Sequence, residues 1–105
     1  ALARAGRTEE AVEALKRAVE LEPRLTLAHV NLGQVYLAEN LLEEARRSFE
    51  KVLELQPDQT VAQYNLAVIH HRLGQSAQAR DYLKKVKAAD FTVDPELTRQ
   101  IESAE

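Results

Sequence analysis

The chain has 105 residues, contains no cysteine, methionine or tryptophan, and carries a formal charge of -3. This length corresponds to about one domain of ~100–200 residues, and the lack of cysteine excludes a disulfide-stapled scaffold, a thiolate metal site and a cysteine nucleophile. The charge balance disfavours nucleic acid as a partner, and no apolar run approaches the ~18 residues of a membrane span. Because strong helix formers dominate and no leader is visible, we expect an all-helical chain in the cytoplasm.

The sequence repeats itself with a period of 34 residues and without gaps. Alanine recurs in register at Ala11, Ala45 and Ala79, and Pro23 aligns with Pro57. The other matched positions share their residue type or size: Leu15, Phe49 and Leu83; Ala18, Val52 and Val86; Asn31 and Asn65; Leu32 and Leu66; Gly33 and Ala67. A fixed period of this length predicts an array in which helix pairs stack to share a core that none of them encloses alone.

In chain order, the first predicted element is the last turn and a half of a helix over residues 1–5. Gly6 is expected to end it, because glycine tolerates a left-handed backbone. A second helix is predicted to follow and to stop before Pro23. The first repeat is therefore expected to lack most of its first helix, as in an array that has been cut.

The next repeat predicts two helices. Apolar residues recur at helical spacing from Thr26 to Glu39, and Asn40, like Gly74 one period later, is expected to end the first helix. The second helix is predicted from Leu42 to Leu55, with charged residues on its outer face, and Pro57 stops it.

The end of the sequence predicts a terminal helix. Asp94 is a favourable N-cap for the Pro-Glu pair that follows it. Leu97 and Ile101 give this helix a single apolar side, as in the polar-backed helices that close repeat arrays. Phe91 and Val93 are expected to hold the preceding loop on the last full repeat.

These residue types and their spacing resemble the tetratricopeptide repeat, through Leu32, Gly33, Tyr36, Ala45, Phe49 and Pro57 in one unit and Leu66, Ala67, Ala79 and Leu83 in the next. The resemblance extends from residue 1 to about residue 90. It implies an all-α fold, an α-solenoid of antiparallel helix pairs forming a right-handed superhelix, with a C-terminal capping helix. We expect one domain over residues 1–105, divided into a partial repeat (1–24), two repeats (25–58 and 59–91) and the capping helix (92–105).

By the same resemblance, one side of each first helix lines a concave groove for a peptide or a helix of a partner protein. The residues on that side are Leu27, Val30, Asn31, Gln34, Leu37 and Ala38 in one repeat and Val61, Tyr64, Asn65, Val68, His71 and Arg72 in the next. Asn31 and Asn65, one repeat apart, form a short ladder along this wall. Each primary amide can donate to a peptide carbonyl and accept from a peptide N–H, so the ladder can bind the backbone of a ligand.

The apolar members of this wall are expected to anchor ligand side chains against Val30, Tyr64 and Val68. Two alternatives stay open at this point. Leu27, Leu37 and Val61 could instead pack between neighbouring helices, or another copy of the chain could fill the groove. The cations of the co-chaperone carboxylate clamp are missing, since its later Lys and Arg places fall on Val61 and Asn65. Arg4 and Arg72 are the groove-side cations.

The histidines predict no metal site. His70 and His71 are adjacent and point about 100° apart on a helix, so they cannot chelate one ion together, and His70 is expected to be packed at the usual place of a tyrosine. His29 and Gln63 stand where the family usually has tryptophan. With no cofactor motif and no acid–base pair, we expect a non-enzymatic adaptor whose partner is a protein or peptide. The alternatives are a self-associating module and the substrate-presenting repeat region of a larger enzyme such as a glycosyltransferase.

Overall fold

The computed structural model describes residues 2–89 and 91–103, with side-chain surroundings from Glu9 onward. In this part of the chain there are six helices and no strand: α1 (Leu2–Leu21), α2 (Thr26–Ala38), α3 (Leu42–Leu55), α4 (Thr60–Arg72), α5 (Ser76–Ala88) and α6 (Pro95–Ser103). The main packing contacts join each helix to the next one along the chain. This consecutive packing is that of an α-solenoid and confirms the predicted fold class.

The ends of α2 and α4 follow from two residues with left-handed backbones. Asn40 has a φ of 59° and Gly74 a φ of 76°. In each turn the next amide returns to the last helical turn, from Leu41 N to Tyr36 O at 2.8 Å and from Gln75 N to His70 O at 2.8 Å. These are Schellman closures, which satisfy carbonyls that the helix end would otherwise leave open.

The prediction that Gly6 also ends a helix is wrong, because this glycine lies inside α1, which is continuous from Leu2 to Leu21. A glycine in a helix interior is only about 1 kcal/mol less favourable than alanine, and the hydrogen bonds of the adjoining turns offset this cost.

The core consists of two clusters of buried residues, and both clusters include residues of α4. The larger joins α2, α3 and α4 through Val30, Leu32, Tyr36, Ala45, Phe49, Val52, Ala62, Leu66 and Ile69. The smaller joins α4, α5 and α6 through Ala67, Ala79, Leu83 and Ile101. Since α4 contributes one face to each cluster, the interior continues from repeat to repeat.

Helix α1 is less buried than its counterparts α3 and α5. Leu15 is partly exposed, whereas Phe49 and Leu83, at the same repeat position, are 0% and 2% exposed. The reason lies in the neighbours: α3 and α5 pack between two helices, while α1 has α2 as its main partner in the described residues. The repeat register therefore fixes which residues face inward but not how deeply they are buried.

The turns between repeats are held by equivalent side chains six residues downstream. His29 Nε2 lies 2.9 Å from Pro23 O, and Gln63 Nε2 donates to Pro57 O at 3.1 Å. Both side chains are largely buried. An imidazole and a primary amide thus make the same contact at the position where the family usually has tryptophan.

The loop before α6 and the start of that helix follow the sequence prediction. Glu96 N donates to Asp94 Oδ1 at 3.1 Å, which is the N-cap contact expected of this aspartate. Ile101 is fully buried and Leu97 packs beside it. Helix α6 therefore covers the outer side of α5 with the apolar stripe that the sequence indicated.

Candidate functional site

A groove enclosing about 490 Å³ lies between the first helices of the two complete repeats, α2 and α4. Its lining consists of Thr26, Leu27, Val30, Asn31, Gln34, Gln56, Gln59 and Val61. Five of these residues are among the predicted site residues, and they come from helices that occupy the same place in consecutive repeats. We call this surface the α2–α4 groove.

Three lining residues were not foreseen. Thr26 begins α2, and Gln56 and Gln59 belong to the turn between α3 and α4. Sequence reasoning considered only the helix sides that the family pattern assigns to the wall. The available signal was the position of this turn, because a turn that leads into α4 must lie at the same end of the groove as the start of α4.

The apolar lining differs strongly in exposure. Val30 is 9% exposed and belongs to the larger core cluster, and Val61 is partly buried against the same cluster. Leu27 is 65% exposed. Val30 and Val61 therefore form a rigid floor, while Leu27 is a side chain at the rim that a ligand could cover.

The two asparagines of the predicted ladder have different surroundings. Asn65 Nδ2 donates to Val61 O, one turn earlier in α4, at 2.8 Å. The Asn31 amide is partly buried and makes no hydrogen bond within the described residues. Because one donor of Asn65 is already used by its own helix, Asn31 has the greater hydrogen-bonding capacity for a ligand.

The remaining predicted residues lie outside the α2–α4 groove. Leu37 is partly buried against the core, whereas Arg72 is exposed at the end of α4. The ring of Tyr64 contacts that of Phe91, with a centroid distance of 5.7 Å and an interplanar angle of 44°. Phe91 thus holds the loop on the last repeat, as predicted, and it does so on a residue expected to anchor a ligand. The side chain of Arg4 lies outside those that the structure describes.

Among the others, Ala38 is exposed, and Asn65, Val68 and His71 are partly buried along α4. His70 is 7% exposed and is packed as expected. Its ring stacks on that of Tyr82 at 5.6 Å, and Nδ1 lies 2.6 Å from Gln75 Oε1. Burial raises the pKa of the Tyr82 phenol. This pair fills the interface between α4 and α5, so His70 belongs to the core and not to the groove.

Comparisons with known proteins agree with this architecture. A family model described as "Tetratricopeptide repeat" matches residues 23–90, and one described as "TPR repeat" matches residues 1–40. The solved structure of MamA AMB-1 has a TM-score of 0.77 and 23% sequence identity, with 91% of this chain and 52% of that chain covered. The chain thus spans about half the length of that structure, and the likeness concerns the fold. No curated protein matches the sequence significantly.

Proposed function

The chain belongs to the tetratricopeptide-repeat family, a class of protein-interaction modules, and we propose that its α2–α4 groove holds a polypeptide segment of a partner protein. Domains of this family are generally non-catalytic scaffolds. None of the helices within residues 2–89 and 91–103 is both long and apolar enough to cross a membrane. The observation that carries the proposal is the α2–α4 groove itself, with its apolar floor beside the Asn31 side-chain amide, which makes no hydrogen bond within the part of the chain that the structure describes.

In the proposed mechanism, apolar residues of the groove hold a side chain of the ligand, and a side-chain amide holds its backbone. An apolar side chain of the ligand packs on Val30 and Val61 and is covered by Leu27. The Asn31 amide then donates to one peptide carbonyl and accepts from one peptide N–H. Full burial of one aliphatic side chain contributes about 1.5–3 kcal/mol. Since micromolar binding requires about -8 kcal/mol, contacts along α4, including those of Asn65 and Val68, are needed as well.

A library of random dodecapeptides displayed on phage tests this proposal. Peptides selected on the wild-type chain should lose most of their retention on the Leu27→Ser and Asn31→Ala variants. Leu21→Ser is the matched control, because Leu21 is 81% exposed and does not line the groove. Circular dichroism of all variants should be unchanged. If the selected peptides bind the groove variants as tightly as the wild type, the groove is not the binding site.

A second candidate function is self-association, which the exposure of α1 favours. Leu15 of α1 is partly exposed, whereas Phe49 of α3 and Leu83 of α5, at the same repeat position, are buried. Another copy could cover this face. Sedimentation at two protein concentrations separates the candidates: a concentration-dependent mass that Leu15→Ser abolishes supports self-association, and a monomer at both concentrations excludes it.

A further inference from the structure

Among the side chains that the structure describes, from Glu9 onward, none of those that line the α2–α4 groove is ionisable, although 30% of the residues in the chain are charged. Half of the lining residues carry primary amides: Asn31, Gln34, Gln56 and Gln59. The others are aliphatic or carry a hydroxyl group. The groove therefore combines an apolar floor with neutral groups that both donate and accept hydrogen bonds.

This lining determines which ligand groups bind without penalty. An ionised side chain that enters the groove loses hydration and meets no opposite charge, which costs free energy unless the charge is paired. A peptide group is neutral and has one donor and one acceptor, which the amides of Asn31 and Gln34 can satisfy together. The chemistry of the groove thus favours peptide backbone over charged side chains.

We infer that the α2–α4 groove selects an uncharged polypeptide segment, with an aliphatic side chain on the floor and its peptide groups held by the lining amides. This inference rests on the proposed function, since it specifies the ligand of the same groove. Of the lining amides, Gln59 is already engaged, because its Oε1 accepts from Val61 N at 3.1 Å. Asn31, Gln34 and Gln56 are the amides left to hold the ligand.

The test is a change of charge in the groove. The same dodecapeptide library is selected on the wild-type chain, on Gln34→Lys and on Gln78→Lys. Gln34 and Gln78 are both exposed helical residues, and Gln78, on α5, lies outside the groove, so the two variants make the same charge change at different places. Circular dichroism confirms that each variant keeps the fold.

The wild type should select peptides with aliphatic residues and a depletion of Asp, Glu, Lys and Arg at neighbouring positions. Gln34→Lys should enrich Asp and Glu at one of these positions by about tenfold or more, because a new cation gives a carboxylate its partner. Gln78→Lys should select as the wild type does. Charged residues selected at these positions by the wild type, with retention still lost on Leu27→Ser, would overturn the inference and leave the proposed function standing. Selection unaffected by Leu27→Ser overturns both.

Discussion

The two complete helix pairs of this chain have different residues at the place where the two helices of a pair contact each other. In the first pair Gly33 of α2 faces Phe49 of α3, and in the second Ala67 of α4 takes the glycine's place and Leu83 of α5 the phenylalanine's. A Cβ atom at Gly33 would lie 2.7 Å from Cε2 and 2.8 Å from Cζ of Phe49. Phe49 is fully buried and cannot yield. The two positions therefore share one volume, and a larger residue at one requires a smaller residue at the other.

The position equivalent to Gly33 and Ala67 in α6 extends the comparison. It is occupied by Ile101, which is fully buried. Its side chain packs with Ala67, Ala79 and Leu83 in the smaller core cluster. One repeat position thus holds a glycine, an alanine and an isoleucine, and the neighbours of each residue differ.

The largest expected effect on stability comes from removing the Phe49 ring, which fills the space that it shares with Gly33. Phe49→Ala should lower the free energy of unfolding by about 3–5 kcal/mol, because a fully buried ring is lost and a cavity is left. The loss should exceed that of Leu83→Ala, since Gly33 has no side chain to fill the cavity while Ala67 has a Cβ. Urea unfolding followed by circular dichroism measures both. An equal or smaller loss at Phe49 would contradict the comparison.

An intermediate effect is expected from exchanging the pairs. Gly33→Ala should destabilise the chain by up to about 2 kcal/mol, because overpacking costs ~1–3 kcal/mol and the gain in helix propensity offsets ~1 kcal/mol of this. In a Phe49→Leu background, which reproduces the second pair, the same change should be neutral or stabilising. A double-mutant cycle measures this coupling. If Gly33→Ala has the same effect in both backgrounds, the residues do not share the volume.

The smallest effect concerns the ion pairs that Arg46 makes with two glutamates of α3. Arg46 lies 2.5 Å from Glu43 Oε2 and 3.2 Å from Glu50 Oε2, whereas α5 has alanine and lysine at the two carboxylate positions. The hydrogen bond from Arg46 lowers the pKa of the Glu43 carboxyl below its ordinary value of 4.5. A lowered folded pKa stabilises the fold above the unfolded pKa, and this contribution is lost as the pH falls through the folded value.

The wild type should therefore be slightly more stable than Arg46→Ala at about pH 7, and this difference should shrink at about pH 3. Thermal unfolding at both pH values measures it. Arg17→Ala is the matched control, because Arg17 is an exposed helical arginine of α1 that makes no ion pair within the described residues. A difference that does not depend on pH would argue against the carboxylate pair as its source.

Several residues of the groove could be named from the sequence, but the side-chain contacts of the predicted site residues could not. The resemblance to the tetratricopeptide repeat placed Leu27, Asn31 and Val61 on one wall, and in the structure these three residues line the same groove. It did not indicate that Asn65 would bond to its own helix or that Phe91 would contact Tyr64. These contacts depend on rotamers and on a loop with no counterpart in the preceding repeat, and the register carries no information about either.

By itself, the sequence determined the helices and their stacking order. Proline and left-handed residues end helices through local backbone geometry, and apolar spacing selects the inward face, so neither requires knowledge of distant residues. The structure was needed to decide how deep each inward residue lies, whether Gly6 breaks α1, and which amides are left for a ligand. Those outcomes depend on neighbours that the chain brings together only when it folds, because burial and side-chain hydrogen bonds are set by whatever occupies the adjoining space.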